Sequence, residues 1–221
     1  MVLGMETTTT ASVTGTLMRE VTECPGCDLD HGWCVRHPFS VDNLAHELLN
    51  AAELTPERRL HSIMVGRRAR ALSHEIADSP HAADLLAAAG TLHDIGYAYP
   101  DTGHHAIDGA RWARRNGLPE QLVSLVAHHS TSPQEADVLG LSAELREFDR
   151  VQDWKHAVIW AADFTTGPDG SPVSPRDRLA GIRGRYPDDS PVLRALDAAE
   201  PRMWALFARF FPARFATGWL T

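Results

Sequence analysis

The segment from Pro80 to Gly96 constrains the fold more than any other part of this sequence. Its letters, PHAADLLAAAGTLHDIG, are mostly alanine and leucine up to the polar pair His93-Asp94. A helix that is apolar on every side is stable only when other elements cover all of its sides. We therefore expect a helix at the centre of a bundle, with His93 and Asp94 at its buried end and Gly96 at its C-cap.

The segments on both sides of this helix also carry helical signals. Ser40 precedes an amphipathic stretch as an N-cap, and Thr55-Pro56-Glu57 is a strong helix start. The last apolar stretch, residues 190–211, contains Pro201, which should kink or split a helix. The sequence has no strand-length run of alternating β-branched residues and no internal repeat. It predicts an all-α helical bundle.

The chain of 221 residues is long enough for one domain with a full core and a small appendage. We assign residues 40–221 to the helical domain and residues 1–39 to a disordered, Cys/His-rich N-terminal segment. The spacing of its thiols and imidazoles would suit a structural zinc site, and the alternative is reduced thiols without metal. The candidate zinc ligands are Cys24, Cys27, Cys34 and His37.

Charge and composition limit the partners of the chain. A formal net charge of −8 argues against nucleic-acid polymers and anionic membranes, which both require a basic face. We find no transmembrane run, no secretory signal and, with three cysteines, no disulfide framework, so we expect a cytoplasmic protein. The aromatic C-terminal end is either core or the surface of a homodimer. Its members are Trp204, Phe207, Phe210, Phe211, Phe215 and Trp219.

Three apolar segments end in potential metal ligands. His93-Asp94 ends the central helix, Asp163 follows VIWAA, and His128-His129 follow LVSLVA. An ionised carboxylate in apolar surroundings is costly without a partner. A metal ion supplies that partner, because it binds imidazole nitrogen and carboxylate oxygen together. The alternative is that each is only a hydrogen-bonded residue at a helix end, which is plausible for one segment and less so for all three.

The order of these residues resembles the HD-domain superfamily of metal-dependent phosphohydrolases. The resemblance covers about residues 56–186 and implies an all-α, HD-domain-like helical bundle. It rests on flanking patterns as well as on single residues. These are Arg59-Leu60-His61, the LHDIGY element, the H-x-x-x-G-A element from His105 to Ala110, the double histidine and Ala162-Asp163.

The resemblance implies a set of metal ligands. The positions that form the basic metal site in the family correspond to His61, His93, Asp94 and Asp163. Members that bind two metals have further histidines, which correspond to His105 and to one of His128 and His129. Neighbours on a helix point about 100° apart, so both members of a pair cannot easily reach one ion. We favour His129, and His128 stays open.

The implied activity is hydrolysis of a nucleotide or other small phosphate ester. Asp94 would bridge two cations, which lie about 3.5–4 Å apart in such sites and turn a bridging water into a hydroxide that attacks phosphorus. Imidazole and carboxylate together suit one or two ions of Fe, Mn, Co, Ni or Zn better than Mg or Ca alone. We assign catalytic roles to His93, Asp94 and Lys155. The substrate phosphate would be bound by Arg176 and Arg178, which follow Asp163 in the chain.

Two other functions occur on the same fold. One is a mixed-valence di-iron oxygenase, whose members usually carry a lysine close to the site. Here the residue after HDIG is Tyr97, HHSTS has no lysine, and Lys155 is the only nearby candidate. The other is a non-catalytic signalling domain that has lost ligands, and the complete ligand set counts against it. The GYP element of the cyclic-dinucleotide phosphodiesterases is also missing after the double histidine.

Overall fold

The computed structural model describes residues 40–219 and, before them, only two short strands. These are β1 (Cys27–Asp28) and β2 (Trp33–Cys34), which pair antiparallel with Cys27 opposite Cys34. The predicted zinc site lies outside the described residues, because Cys24 and His37 are not among them and the structure describes only the backbone at Cys27 and Cys34. The predicted boundary at residue 40 stays a prediction.

The described residues after Ser40 form a bundle of α-helices joined by short loops, so the prediction of an all-α fold is confirmed. No helix in this part of the chain has the length and apolar character needed to cross a membrane. In chain order the helices are α1 (Val41–Ala51), α2 (Pro56–Ser73), α3 (Pro80–Leu92), the 3-10 helix η1 (Ile95–Ala98), α4 (His105–Arg115), α5 (Glu120–Ala127), α6 (Ser132–Leu139), α7 (Ser142–Leu145), α8 (Asp153–Phe164), α9 (Pro175–Arg183), α10 (Pro191–Phe210) and α11 (Pro212–Ala216).

The predicted N-caps act as the sequence indicates. The Ser40 hydroxyl accepts a hydrogen bond from the backbone N–H of Asp42, and the Thr55 hydroxyl accepts one from that of Arg58. Each contact satisfies an N–H group that has no partner inside the helix. These local contacts set where α1 and α2 begin.

Helix α3 lies at the centre of the bundle, as predicted, with every residue from Leu85 to Leu92 buried. It packs against α1, α2, α5 and α8. Gly96 differs from the prediction, because α3 ends at Leu92 and Gly96 lies inside η1 rather than at a C-cap. A Cβ atom at Gly96 would lie 1.9 Å from the carbonyl oxygen of His105. This glycine therefore allows the first turn of α4 to approach the end of α3.

Pro201 does not split the C-terminal helix, and a kink there stays a prediction. Helix α10 runs through it without a break from Pro191 to Phe210. A proline leaves the carbonyl four residues earlier without its helical donor. That carbonyl belongs to Asp197, and both residues are exposed, so water can satisfy it. The buried face of the same helix, including Leu196 and Met203, anchors the segments on both sides of the proline.

The aromatic C-terminal end contributes to the core of this chain. Phe207, Phe211 and Trp219 are buried, and the centroid of the Trp219 ring lies 5.2 Å from that of Phe207 and 5.4 Å from that of Phe211. Phe215 is exposed. For the three buried rings the structure supports the interpretation as core, and the homodimer stays a prediction.

The crossing of α2 and α3 depends on two glycines that face each other. A Cβ atom on Gly66 would lie 2.1 Å from the Thr91 hydroxyl and 2.8 Å from the carbonyl oxygen of Ala87. A Cβ atom on Gly90 would lie 3.0 Å from the Cα atom of Gly66. The two backbones therefore touch, and this close contact sets the distance between the ligands that the two helices carry.

We predict that Gly66→Ala lowers the free energy of unfolding by about 1–3 kcal/mol, because the added methyl group overpacks the crossing. Gly181→Ala is the matched control in α9, where a Cβ atom meets no atom within 4 Å. Alanine should stabilise that helix by up to about 1 kcal/mol through helix propensity. Urea unfolding of both variants provides the measurement. Equal effects of the two substitutions would contradict the tight crossing.

Candidate metal centre

Histidine and aspartate side chains from four helices and a turn meet at one end of α3. His61 comes from α2, and His93 and Asp94 directly follow α3. The other three are His105 at the start of α4, His129 in the turn after α5, and Asp163 near the end of α8. Five of the six are buried, and His105 is partly exposed. The structure thus brings together residues that are up to 102 positions apart in the sequence.

The cluster contains two overlapping groups of potential ligand atoms. His61, His93 and Asp94 form one group, and Asp94, His105 and His129 form the other. Within each group the ligand atoms all lie within 4.8 Å of one another. Asp94 Oδ1 lies 3.4 Å from Nε2 of His93 and 3.5 Å from Nε2 of His105. Imidazole nitrogens around a shared carboxylate fit transition-metal ions.

Three of the histidines are oriented by backbone carbonyl groups. The carbonyl oxygens of Gly167, Gly90 and Val126 lie 2.9, 2.7 and 2.7 Å from Nδ1 of His61, His93 and His129. A carbonyl only accepts hydrogen bonds, so Nδ1 of each ring carries the proton and donates it. Nε2 of each ring faces the cluster, and without a proton its lone pair can bind a metal, which is the arrangement typical of histidines that bind a metal.

Asp163 lies on the His61 side of the cluster. Its Oδ1 is 3.3 Å from Nε2 of His61 and 3.5 Å from a guanidinium nitrogen of Arg178. Its Oδ2 accepts a 2.6 Å hydrogen bond from the hydroxyl of Ser130. Burial alone would raise the pKa of Asp163, but the His61 hydrogen bond and the nearby positive charges hold it well below its usual range. The carboxylate is therefore ionised.

Arg58 is a component of the site that the sequence analysis missed. Its guanidinium donates a hydrogen bond to Oδ2 of Asp94 and lies 3.6 Å from the centroid of the Tyr97 ring. Tyr97 in turn stacks on His105, with the ring centroids 4.4 Å apart. Burial would raise the pKa of Asp94, but His93, His105 and Arg58 lower it below its usual range. Arg58 precedes His61 by three residues, and this helical spacing was the available signal.

The histidines differ in their charge at neutral pH. Burial lowers the pKa of both His93 and His105 to about 4, so these rings are neutral and able to bind a metal. At His61 burial also acts to lower the pKa, but the hydrogen bond and charge of Asp163 raise it overall. Positive charge is thus stabilised between His61 and Asp163. A cation fits at the same place.

A comparison with protein families gives the same assignment as the geometry. The HD domain model matches residues 58–182, which is more than half of the chain and spans all six clustered residues. The chain belongs to the HD-domain family. Searches of the curated proteins and of the solved structures gave no match. The predicted family is confirmed, and with it membership in a superfamily of metal-dependent hydrolases.

Within this HD domain the two adjacent histidine pairs each place one ring in the cluster. Nε2 of His105 and Nε2 of His129 lie 3.1 Å apart. His104 instead caps α4, because its Nδ1 accepts a hydrogen bond from the backbone N–H of Ile107. The ring of His128 lies against the carbonyl oxygen of Phe148, 3.2 Å away, outside the cluster. The structure therefore does not bring His128 to the other candidate ligands.

Of the predicted cationic residues only Arg178 lies at the cluster. Lys155 donates a 2.8 Å hydrogen bond to the side chain of Gln121 and lines a separate cavity of about 250 Å³. Arg176 lies over the ring of Trp204, 5.1 Å from its centroid. The catalytic role of Lys155 and the phosphate-binding role of Arg176 thus find no support in these positions.

A cavity of about 130 Å³ opens at the cluster. Four of the clustered residues line it, namely Asp94, His105, His129 and Asp163. Its wall also includes Tyr97, Glu135, Arg185 and Tyr186. A small molecule in this cavity would contact the candidate ligands directly, between cationic, acidic and phenolic side chains.

Asp108 fixes the loop that leads into the cluster. Its carboxylate accepts hydrogen bonds from the backbone N–H groups of Asp101 and Thr102 and from the Thr102 hydroxyl, at 2.7–3.0 Å. Burial would raise the pKa of Asp108, but these donors lower it overall. The carboxylate therefore stabilises the folded state and holds the start of α4, where His105 lies.

We predict that Asp108→Asn lowers the free energy of unfolding at pH 7, because an amide places an N–H donor against other donors. The folded-state pKa lies below the unfolded value of about 3.9. The wild-type advantage should therefore be complete above pH 5 and disappear as the pH falls through the folded-state pKa. Urea unfolding at several pH values checks this, with exposed Asp78→Asn as the control. A pH-independent difference would contradict it.

We also predict that His129→Asn weakens the binding of added Co²⁺ or Zn²⁺ by more than about tenfold, since even changes beyond the direct ligands cost 10- to 100-fold. His128→Asn, one residue away, should bind like the wild type because its ring faces Phe148. Elemental analysis after dialysis and a metal titration provide the measurements. Loss of metal in the His128 variant, with binding retained in the His129 variant, would reverse the assignment.

Proposed function

We propose that this HD domain is a metal-dependent phosphohydrolase that acts on a nucleotide or another small phosphate ester, with a metal-activated hydroxide as the nucleophile. The observation that carries the proposal is the position of Asp94 in both groups of potential ligands. One carboxylate that faces two sets of histidines suits a pair of ions. His61, His93 and Asp163 would hold one ion, His105 and His129 would hold the other, and Asp94 would contribute to both.

Bound divalent ions would supply Lewis acidity and lower the pKa of a coordinated water. The protein itself fixes the orientation of the side chains that would bind the ions. Carbonyl groups fix the Nδ1–H tautomer of three histidines, and the Ser130 hydroxyl holds Oδ2 of Asp163. Because these groups are buried, little reorganisation is needed when charge develops during the reaction.

Three arginines are placed to attract a phosphate group. Arg58 contacts Asp94 and Arg178 contacts Asp163, so both guanidinium groups lie at the edge of the cluster. Arg185 lines the cavity itself. Guanidinium groups match phosphate oxygens in charge and geometry. We therefore assign phosphate binding to Arg178 with Arg58 and Arg185, in place of Arg176.

The size of the cavity supports a small substrate. About 130 Å³ is below the 300–1,000 Å³ typical of pockets that enclose a drug-sized ligand. A compact phosphate ester fits such a space, and a nucleotide would enter it with its phosphate end. Tyr97, Tyr186 and Glu135 line the same wall and offer hydrogen bonds to the remainder of the substrate.

The position of Lys155 weighs against the di-iron oxygenase. It is the only lysine of the chain, and it contacts Gln121 at a separate cavity. The lysine that usually accompanies the oxygenase site therefore has no counterpart at this cluster. The non-catalytic alternative is disfavoured by the two groups of candidate ligands around Asp94.

We predict that Asp94→Asn lowers phosphate release by at least about a thousandfold, because an amide is a poor ligand for two ions at once. The assay uses protein loaded with Mn²⁺, Co²⁺ or Fe²⁺ and a panel of nucleoside monophosphates, glycerol phosphate and an aryl phosphodiester. Helical content by circular dichroism should not change, since Asp94 lies just beyond the end of α3.

Asp78→Asn, an exposed carboxylate outside the cluster, is the control and should keep full activity. Undiminished activity of the Asp94 variant would overturn the mechanism. A wild-type protein that binds two iron ions, consumes O₂ and releases no phosphate from any ester would instead establish the oxygenase.

A further inference from the structure

A second cavity, of about 640 Å³, lies beside α2 and the loop after α8. Arg67 and Arg68 line it from α2, Pro172 and Val173 from the loop, and Trp219 from the C-terminal end. None of the six clustered residues of the metal centre lines it. It is therefore a separate site, and the proposed hydrolase reaction does not use it.

The lining of this cavity is basic in an acidic protein. It contains three arginines and one aspartate, a formal charge of +2, whereas the whole chain carries −8. Arg214 forms a salt bridge with Glu75, and the aspartate, Asp177, accepts a hydrogen bond from Ser174. Arg67 and Arg68 thus line the cavity without an ion pair to any carboxylate among residues 40–219, and together with Asp177 these unpaired groups leave a formal charge of +1.

Arg68 is the more informative of the two. Its guanidinium makes no hydrogen bond or salt bridge with any residue that the structure describes, although the side chain is partly buried. Burial lowers the pKa of Arg68, and the positive charge of Arg214 lowers it further. A partly buried cation beside another cation is costly unless an anion compensates it. An anionic ligand in the cavity would supply that compensation.

The rest of the wall is apolar. Met64, Leu72, Val173 and Trp219 line the cavity together with the arginines. A volume of about 640 Å³ lies within the range of pockets that enclose a whole small ligand. The combination of cationic and apolar walls matches a ligand that has an anionic group on an aromatic or apolar body.

We propose that this cavity binds a small organic phosphate with an aromatic body, of about the size of a nucleotide, through Arg68 and Arg67. The loop forms part of the wall through Thr165, Pro172 and Val173. The carbonyl group of Gly167 in the same loop orients His61. A ligand in the cavity would thus lie beside the loop that holds His61 of the metal centre.

The test measures binding of ADP to the full chain after removal of metals with a chelator, by isothermal titration calorimetry. Wild-type protein should bind ADP, and adenosine, which lacks the anionic group, should bind at least about tenfold more weakly. Arg68→Gln should weaken ADP binding by about tenfold or more, because a charge-assisted contact is lost. Arg194→Gln, an exposed arginine outside the cavity, is the matched control and should bind like the wild type.

The melting temperature separates lost binding from lost folding. Without ligand, Arg68→Gln should melt at the wild-type temperature or above, because it removes a repulsion with Arg214. Equal ADP affinity in the wild type and the Arg68 variant would overturn the proposal, as would no binding at millimolar ADP. Binding abolished by Asp94→Asn and retained by Arg68→Gln would also overturn it, by placing the anion at the metal centre. These outcomes do not depend on hydrolase activity.

Discussion

The carboxylate of Asp94 is buried at the end of the central helix, and the surrounding elements converge on it. A buried negative charge is costly unless positive or hydrogen-bonding groups surround it. Here α2 supplies Arg58, α4 supplies His105, and His93 precedes the aspartate in the chain. The close crossing at Gly66 brings α2 near enough to α3 for the first of these contacts. The close packing of the α2 and α3 backbones and the charged groups around Asp94 therefore both position the metal centre.

Local signals in the sequence predicted the central helix, the caps and most of the cluster. An alanine- and leucine-rich run must be buried wherever it lies, and the caps at Ser40 and Thr55 need only their own helices. The roles of Gly96 and Pro201 could not be predicted in the same way. The first depends on the approach of α4, and the second on which helix face meets solvent. Both are properties of the packed bundle.

The difference between local signals and packing also explains where side chains at the site lie in places that the sequence did not indicate. Lys155 is close to Asp163 in the sequence. It lies two turns earlier on α8, however, and its amine contacts Gln121. Arg58 was overlooked because a run of arginines at a helix start is usually a solvated face. Its contact with Asp94 spans 36 residues. Ser130 reaches Asp163 only because the turn after His129 adopts a left-handed backbone, with φ of 48°.

Helix α2 connects the two cavities of this protein. It gives His61 to the metal centre and Arg68, seven residues later, to the basic cavity. Two turns of helix separate them by about 10 Å. The 165–174 loop also reaches from one site to the other. Gly167 contacts His61 at the metal centre, and Val173 lines the basic cavity. A ligand beside Arg68 would therefore lie against both elements that hold His61, namely α2, which the glycine crossing packs against α3, and the loop whose Gly167 carbonyl group contacts the His61 ring.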